Sequence, residues 1–130
     1  MEVAKRKSSR MRADWPRAEV KRVGAVCEVL AQGKASYITV LRIGELTTLT
    51  DYLIICSGAT KIQVRAIAER LRTKMKEQGA TLLNLEGYKE GLWVVGDLGD
   101  IMVHIFEEET REFYSLERLW GDAPQYHFEG

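Results

Sequence analysis

The run Tyr52 to Cys56 is apolar at every position. A strand with one wet face alternates between apolar and polar residues, so an unbroken apolar run bounded by turn residues reads as a strand covered on both sides. Such a strand lies at the centre of a sheet with helices above and below it. The residues that follow agree. Ser57-Gly58-Ala59-Thr60 is a small-residue turn, and Thr60 and Gln63 have the spacing of a capping box. Val64, Ile67, Ala68, Leu71 and Met75 then recur at three- and four-residue spacing until Gly79 ends the run, which predicts an amphipathic helix. A further strand over Thr81 to Leu85 completes the strand, helix, strand order of a βαβ unit.

The second constraint is a hairpin. Two apolar runs flank Gly99-Asp100, a pair suited to the unusual backbone angles of a tight turn. After the turn, Met102, His104 and Phe106 alternate with Ile101, Val103 and Ile105, so both faces of this strand also carry apolar weight. Glu107-Glu108-Glu109 follows, placing acids where the positive end of a helix dipole favours them, and Phe113, Leu116 and Trp120 continue at helical spacing. Nearer the start, Asp14-Trp15-Pro16 reads as a helix opening with Asp14 as the cap. Val20, Val23, Cys27 and Leu30 share a face of that helix, and Gly33 stops it. Tyr37 to Leu41 has strand composition, and a polar turn around Gly44 and Thr50 follows it. The expected fold class is α/β, a mixed β-sheet with flanking helices.

The chain has the length of one domain, able to bury a core without metal or disulfide help. Its formal charge is zero, but residues 1–22 hold eight Lys and Arg against Glu2, Asp14 and Glu19, which leaves the remainder acidic. A nucleic-acid module concentrates cations on its folded face, so RNA contact is expected, if at all, only as a weak one made by the basic arm. The expected organisation is a basic lead over 1–13, an α/β domain over 14–124 and a tail over 125–130. Cys27 and Cys56 are isolated, without the paired spacing of a disulfide framework or zinc site, and are expected as core residues in a reducing cytoplasm. No apolar run is long enough to span a bilayer, so no membrane partner is expected.

Candidate chemistry is sparse. Ser57-Gly58 before a helix resembles a phosphate-binding turn, but neither GxGxxG nor a P-loop is present. Asp97 and Asp100 could hold magnesium in a nucleotidyltransferase-like enzyme, the alternative reading, although across a hairpin turn they need not converge. His104 has no Ser or Cys nucleophile paired to it by motif, and a hydrogen-bonded structural role is expected. Trp93, Tyr114 and Trp120 among carboxylates have the composition of a protein-binding patch, with core burial expected for Trp120. No catalytic residue, metal site or cofactor is expected.

Four long motifs in order carry a resemblance: TDYLIICSG (50–58), KIQVRAIAE at the following helix, EGYKEGLWVVGDLGDIMVHIF (86–106) and EEETREFYSLERLWGDAP (107–124). Over about residues 20–124 the chain resembles the ribosomal silencing factor (Iojap) family. The resemblance implies nucleotidyltransferase-like topology, a homodimer and a role without enzymatic activity. It further implies binding to ribosomal protein L fourteen on the large ribosomal subunit, which blocks subunit association and represses translation. Carried over by position, Trp93 and Tyr114 are candidate contacts. Asp97, Asp100, His104 and Glu109 match the same signature.

Overall fold

The computed structural model describes residues 13–129. Residues 1–12, which contain nearly all of the expected basic lead, lie outside them. The elements run α1 (Arg17–Gln32), β1 (Ser36–Arg42), β2 (Tyr52–Gly58), α2 (Lys61–Glu77), β3 (Asn84–Glu86), β4 (Trp93–Asp97), β5 (Ile101–Glu107), α3 (Glu108–Tyr114), α4 (Leu116–Leu119) and β6 (Gln125–Phe128). The strands form one six-stranded sheet in the order β3-β4-β5-β2-β1-β6. Only β2 and β5 pair in parallel; the other neighbours are antiparallel, so the sheet is mixed and the α/β class expected from sequence is observed.

Every residue of β2 is buried, as a central strand requires. Alternation sends Tyr52, Ile54 and Cys56 into a large core with α1 and α2, and Leu53 and Ile55 into a smaller core on the opposite face. Strand β5 divides the same way, with Ile101, Val103 and Ile105 under the long helices and Phe106 opposite. Cys27 and Cys56 are free, buried thiols, and burial pushes both pKa values up, that of Cys56 to about 12. Thr60 caps α2 by accepting the Gln63 amide at 3.1 Å, while the Gln63 side chain accepts the Ala59 amide at 2.6 Å. The capping box is therefore present, its return bond reaching one residue before the cap.

Four expectations are corrected. The strand after α2 begins at Asn84 rather than Thr81 and is not the parallel partner of β2. It sits at the sheet edge beside β4, and the crossover from β2 lands on β5, two strands later. Thr81 and Leu83 are exposed, so a run of β-compatible residues had no sheet position to fill. The cap of α1 is Pro16, with no side-chain capping bond, rather than Asp14. The amphipathic pattern expected after Glu107 breaks into two short helices at Ser115, whose φ of 48° and ψ of 50° are left-handed. The break lets Leu116 and Trp120 pack partly buried on the smaller core; the side chain of Phe113 lies outside the described set. Finally, residues 125–128, expected within a tail, pair antiparallel with β1, and the Phe128 side chain is buried in the large core.

Candidate functional site

The β4–β5 hairpin places the first group of side chains. Leu98 and Ile101 close the turn through a 2.8 Å backbone bond, and Gly99 takes φ +92°, which suits a residue without Cβ. The register then fixes what lies opposite what. Asp97 pairs with Met102, Val95 with His104 and Trp93 with Phe106, all on the sheet face away from α1 and α2. A second glycine matters at the start of β4. Gly87 has φ +83°, and a Cβ there would fall 2.0 Å from the Trp93 carbonyl oxygen, so the chain can enter the strand this closely only without a side chain.

The rings form a cluster. Trp93 stacks on Phe106 with centroids 4.9 Å apart, Tyr114 from α3 lies 4.8 Å from Trp93, and His104 lies 5.9 Å from it. Such spacings are in the attractive range for offset and tilted aromatic pairs. The Trp93 Nε1–H donates to His104 Nδ1 at 2.9 Å, so His104 is neutral with its proton on Nε2. Desolvation pulls the His104 pKa down to about 4. Trp93 is half-buried and Tyr114 is 52% exposed, so the cluster has a packed base and an open top. Phe106, which forms that base, was not singled out by sequence reading. Counting back from the Gly99-Asp100 turn gives the Trp93–Phe106 pairing and could have found it.

The remaining candidates lie apart. Asp97 shares the face of Trp93 but is four residues along the strand, roughly 13 Å away, and its Oδ1 accepts the Gly99 amide at 2.8 Å. Asp100 turns the other way, toward α1, where both its oxygens take Arg22 at 2.7 and 3.0 Å. The two carboxylates are thus committed to different partners. Among the described residues, no group of three or more His, Cys, Asp or Glu is placed to hold a metal ion, and the nucleotidyltransferase-like alternative is not favoured. Glu109 is exposed in the first turn of α3. Glu107 caps that helix, accepting the Thr110 amide at 3.2 Å.

On the other flank of α3 a groove of about 820 Å³ is lined by Thr39, Ser57, Arg111, Glu112, Glu117 and His127 among others. Its lining mixes Ile38 and Phe128 with polar side chains that bond one another. Thr39 Oγ1 and His127 Nδ1 lie 3.1 Å apart, and Arg111 bonds Ser57 Oγ at 2.9 Å. Ser57 was weighed only as part of a phosphate-binding turn and Arg111 was not expected at a site; their pairing was not foreseen because no helical or strand period links positions so far apart in the chain.

The fold and site together define a small α/β domain whose second sheet face is only partly roofed and presents aromatic rings beside carboxylates. A family model described as "Ribosomal silencing factor during starvation" matches residues 16–130. The chain is 42% identical over 97 residues to the ribosomal silencing factor RsfS of Halalkalibacterium halodurans, covering 75% of this chain and 83% of that protein. It is 38% identical over 105 residues to the RsfS of Bacillus subtilis, covering 81% and 86%. A crystal structure of a protein from Chromobacterium violaceum superposes with a TM-score of 0.74 at 33% identity, covering 82% of this chain and 88% of that one. This chain belongs to the ribosomal silencing factor family.

Proposed function

We propose that this chain represses translation by binding ribosomal protein L fourteen on the large subunit and so keeping the two subunits from joining. The observation that carries the reading is the open cluster of Trp93, Phe106 and Tyr114 on the sparsely covered sheet face. Large aromatic side chains held rigid on one side and open on the other are the common anchors of protein interfaces. Asp97 and Glu109 supply carboxylates on or beside that face, and the acidic balance after residue 22 steers the domain toward a basic protein and away from bare phosphate. Asp100 contributes by fixing the hairpin through Arg22, and His104 by holding the Trp93 indole. Obstruction requires volume and affinity, with no chemical turnover.

The proposal includes a cytoplasmic homodimer, as the family resemblance implies, and a weak RNA contact by the basic arm. Among the described residues no helix is long and apolar enough to cross a membrane. The decisive experiment sediments the purified protein with isolated large subunits, then adds small subunits and follows formation of the joined particle. Co-sedimentation with large subunits and a depressed joining rate are expected; normal joining at saturating protein would end the reading. A truncated variant lacking the first dozen residues should lose whatever steep salt dependence the binding shows.

A further inference from the structure

The helices that carry Tyr114 have little to hold them in place by themselves. α3 has seven residues and α4 four, far below the length at which an isolated helix persists in water. α4 has no fully buried residue, and the joint between the two is the left-handed Ser115. Beside the packing of Tyr114 on Trp93 and of Leu116 and Trp120 on the smaller core, a set of polar ties to the sheet converges on one side chain. Arg111 is 12% exposed, and its Nε donates to Glu117 Oε2 at 2.8 Å, with Nη2 on the same oxygen. Nη1 donates to the Tyr37 carbonyl at 2.6 Å and to Ser57 Oγ at 2.9 Å, and Nη2 reaches Thr39 Oγ1 at 3.5 Å. A single guanidinium therefore ties α3 to α4, to the start of β1 and to the end of β2. Only a planar fork with several fixed donors can serve these directions together.

Arg111 lies one helical turn before Tyr114, so whatever fixes the rotation of α3 at Arg111 also fixes where the Tyr114 ring falls. Tyr37, whose carbonyl takes the bond, is itself held at φ +51°, a costly angle for an aromatic residue that persists only where neighbouring contacts enforce it. We infer that Arg111 is a positioning residue for the aromatic surface: by locking the α3–α4 elbow to β1 and β2 it seats Tyr114 against Trp93. Its importance for ribosome contact rests on the function proposed above, but the lock is measurable without a ribosome.

The test compares wild type with Arg111→Met and Arg111→Lys. Amide hydrogen exchange across residues 108–119 and the Trp93 indole N–H resonance are the primary readouts, and affinity for large subunits is the second. In Arg111→Met, exchange in α3 and α4 should quicken by about tenfold or more while β2 and β5 keep their protection, and the Trp93 resonance should move. Arg111→Lys should recover part of each change, because it retains the charge but not the fork. Affinity should fall by about tenfold although Trp93 and Tyr114 are both intact. If Arg111→Met does not fold, Glu117→Gln carries the same comparison with little change of shape. Unchanged exchange and an unmoved Trp93 resonance would overturn the lock. Quickened exchange in a protein whose wild type ignores large subunits would instead uphold the lock and sink the functional reading.

Discussion

Among the described residues, helices of sixteen and seventeen residues cover a core of twenty-three buried residues on one face of the sheet; on the other, six buried residues lie beneath helices of seven and four residues. The two faces share the same strands. In β5, Ile101, Val103 and Ile105 are completely buried on the first face, whereas Met102 and His104 on the second remain partly open. The difference shows where this domain spends its apolar surface on folding and where some is left for contact with another molecule. An exposed aromatic cluster on a rigid strand pair is costly to leave in water and favourable to cover. Both faces carry polar ties, Arg22 to Asp100 on the first and Arg111 to Tyr37 and Ser57 on the second, but only the first adds a large packed core to them.

The sharpest way to break the contrast uses two neighbours in β2. Ile54 and Ile55 are both fully buried but point to opposite faces. Ile54→Ala should cost about 3–4 kcal/mol, because the helix-covered core cannot collapse around the cavity; Ile55→Ala should cost less, about 2–3 kcal/mol, because the thinner layer can relax. Urea unfolding of both variants measures the difference, and equal losses would mean the faces are equally rigid.

The next test concerns acid. The folded-state pKa of His104 lies near 4, below its ordinary value of 6.5, because burial penalises the charged ring. The unfolded chain therefore binds more protons between these values. Stability is fully present above about pH 6.5 and is lost as pH falls toward 4, by on the order of 2 kcal/mol once partial exposure is allowed for. His104→Gln keeps an acceptor for the Trp93 indole and does not titrate. Its urea midpoint should fall less than that of wild type between pH 7 and pH 4.5, with the residual fall coming from carboxylates.

Trp93→Ala and Tyr114→Ala should each weaken large-subunit binding by about 2 kcal/mol or more. Tyr114→Ala should do so with little loss of fold, since its ring is half exposed. Binding isotherms beside thermal melts check this, and wild-type affinity in both variants would move the contact off this face. The smallest effect belongs to Asp100. Its pair with Arg22 has side chains 35% and 42% exposed, so Asp100→Asn should lower stability by less than about 1 kcal/mol, and molar salt should shrink the difference further.

Much of the frame was legible because it is written in short windows. The all-apolar run at 52–56, the Gly99-Asp100 turn and the Thr60/Gln63 cap each depend on residues a few positions apart, and all three are present in the structure. Within the candidate site, Trp93, His104 and Tyr114 do gather, whereas Asp97 lies farther along the strand and Asp100 faces α1. The position of Asp100 depends on Arg22, seventy-eight residues away in sequence, and no local pattern encodes that pairing. Cutting the last helical pattern at Ser115 is likewise a long-range decision, since it brings Glu117 to Arg111 and Leu116 and Trp120 to the smaller core.

By itself the sequence determined the long helices, the central strands and the hairpin, and that the central strands are covered twice, because periodicity and turn chemistry act over a few residues. Only the tertiary structure decided that β5 rather than β3 lies beside β2, that residues 125–128 close the opposite edge of the sheet, and that one sheet face stays partly open. Those outcomes come from strand pairing and side-chain ties between distant positions, whose free energy exists only once the chain has brought them together.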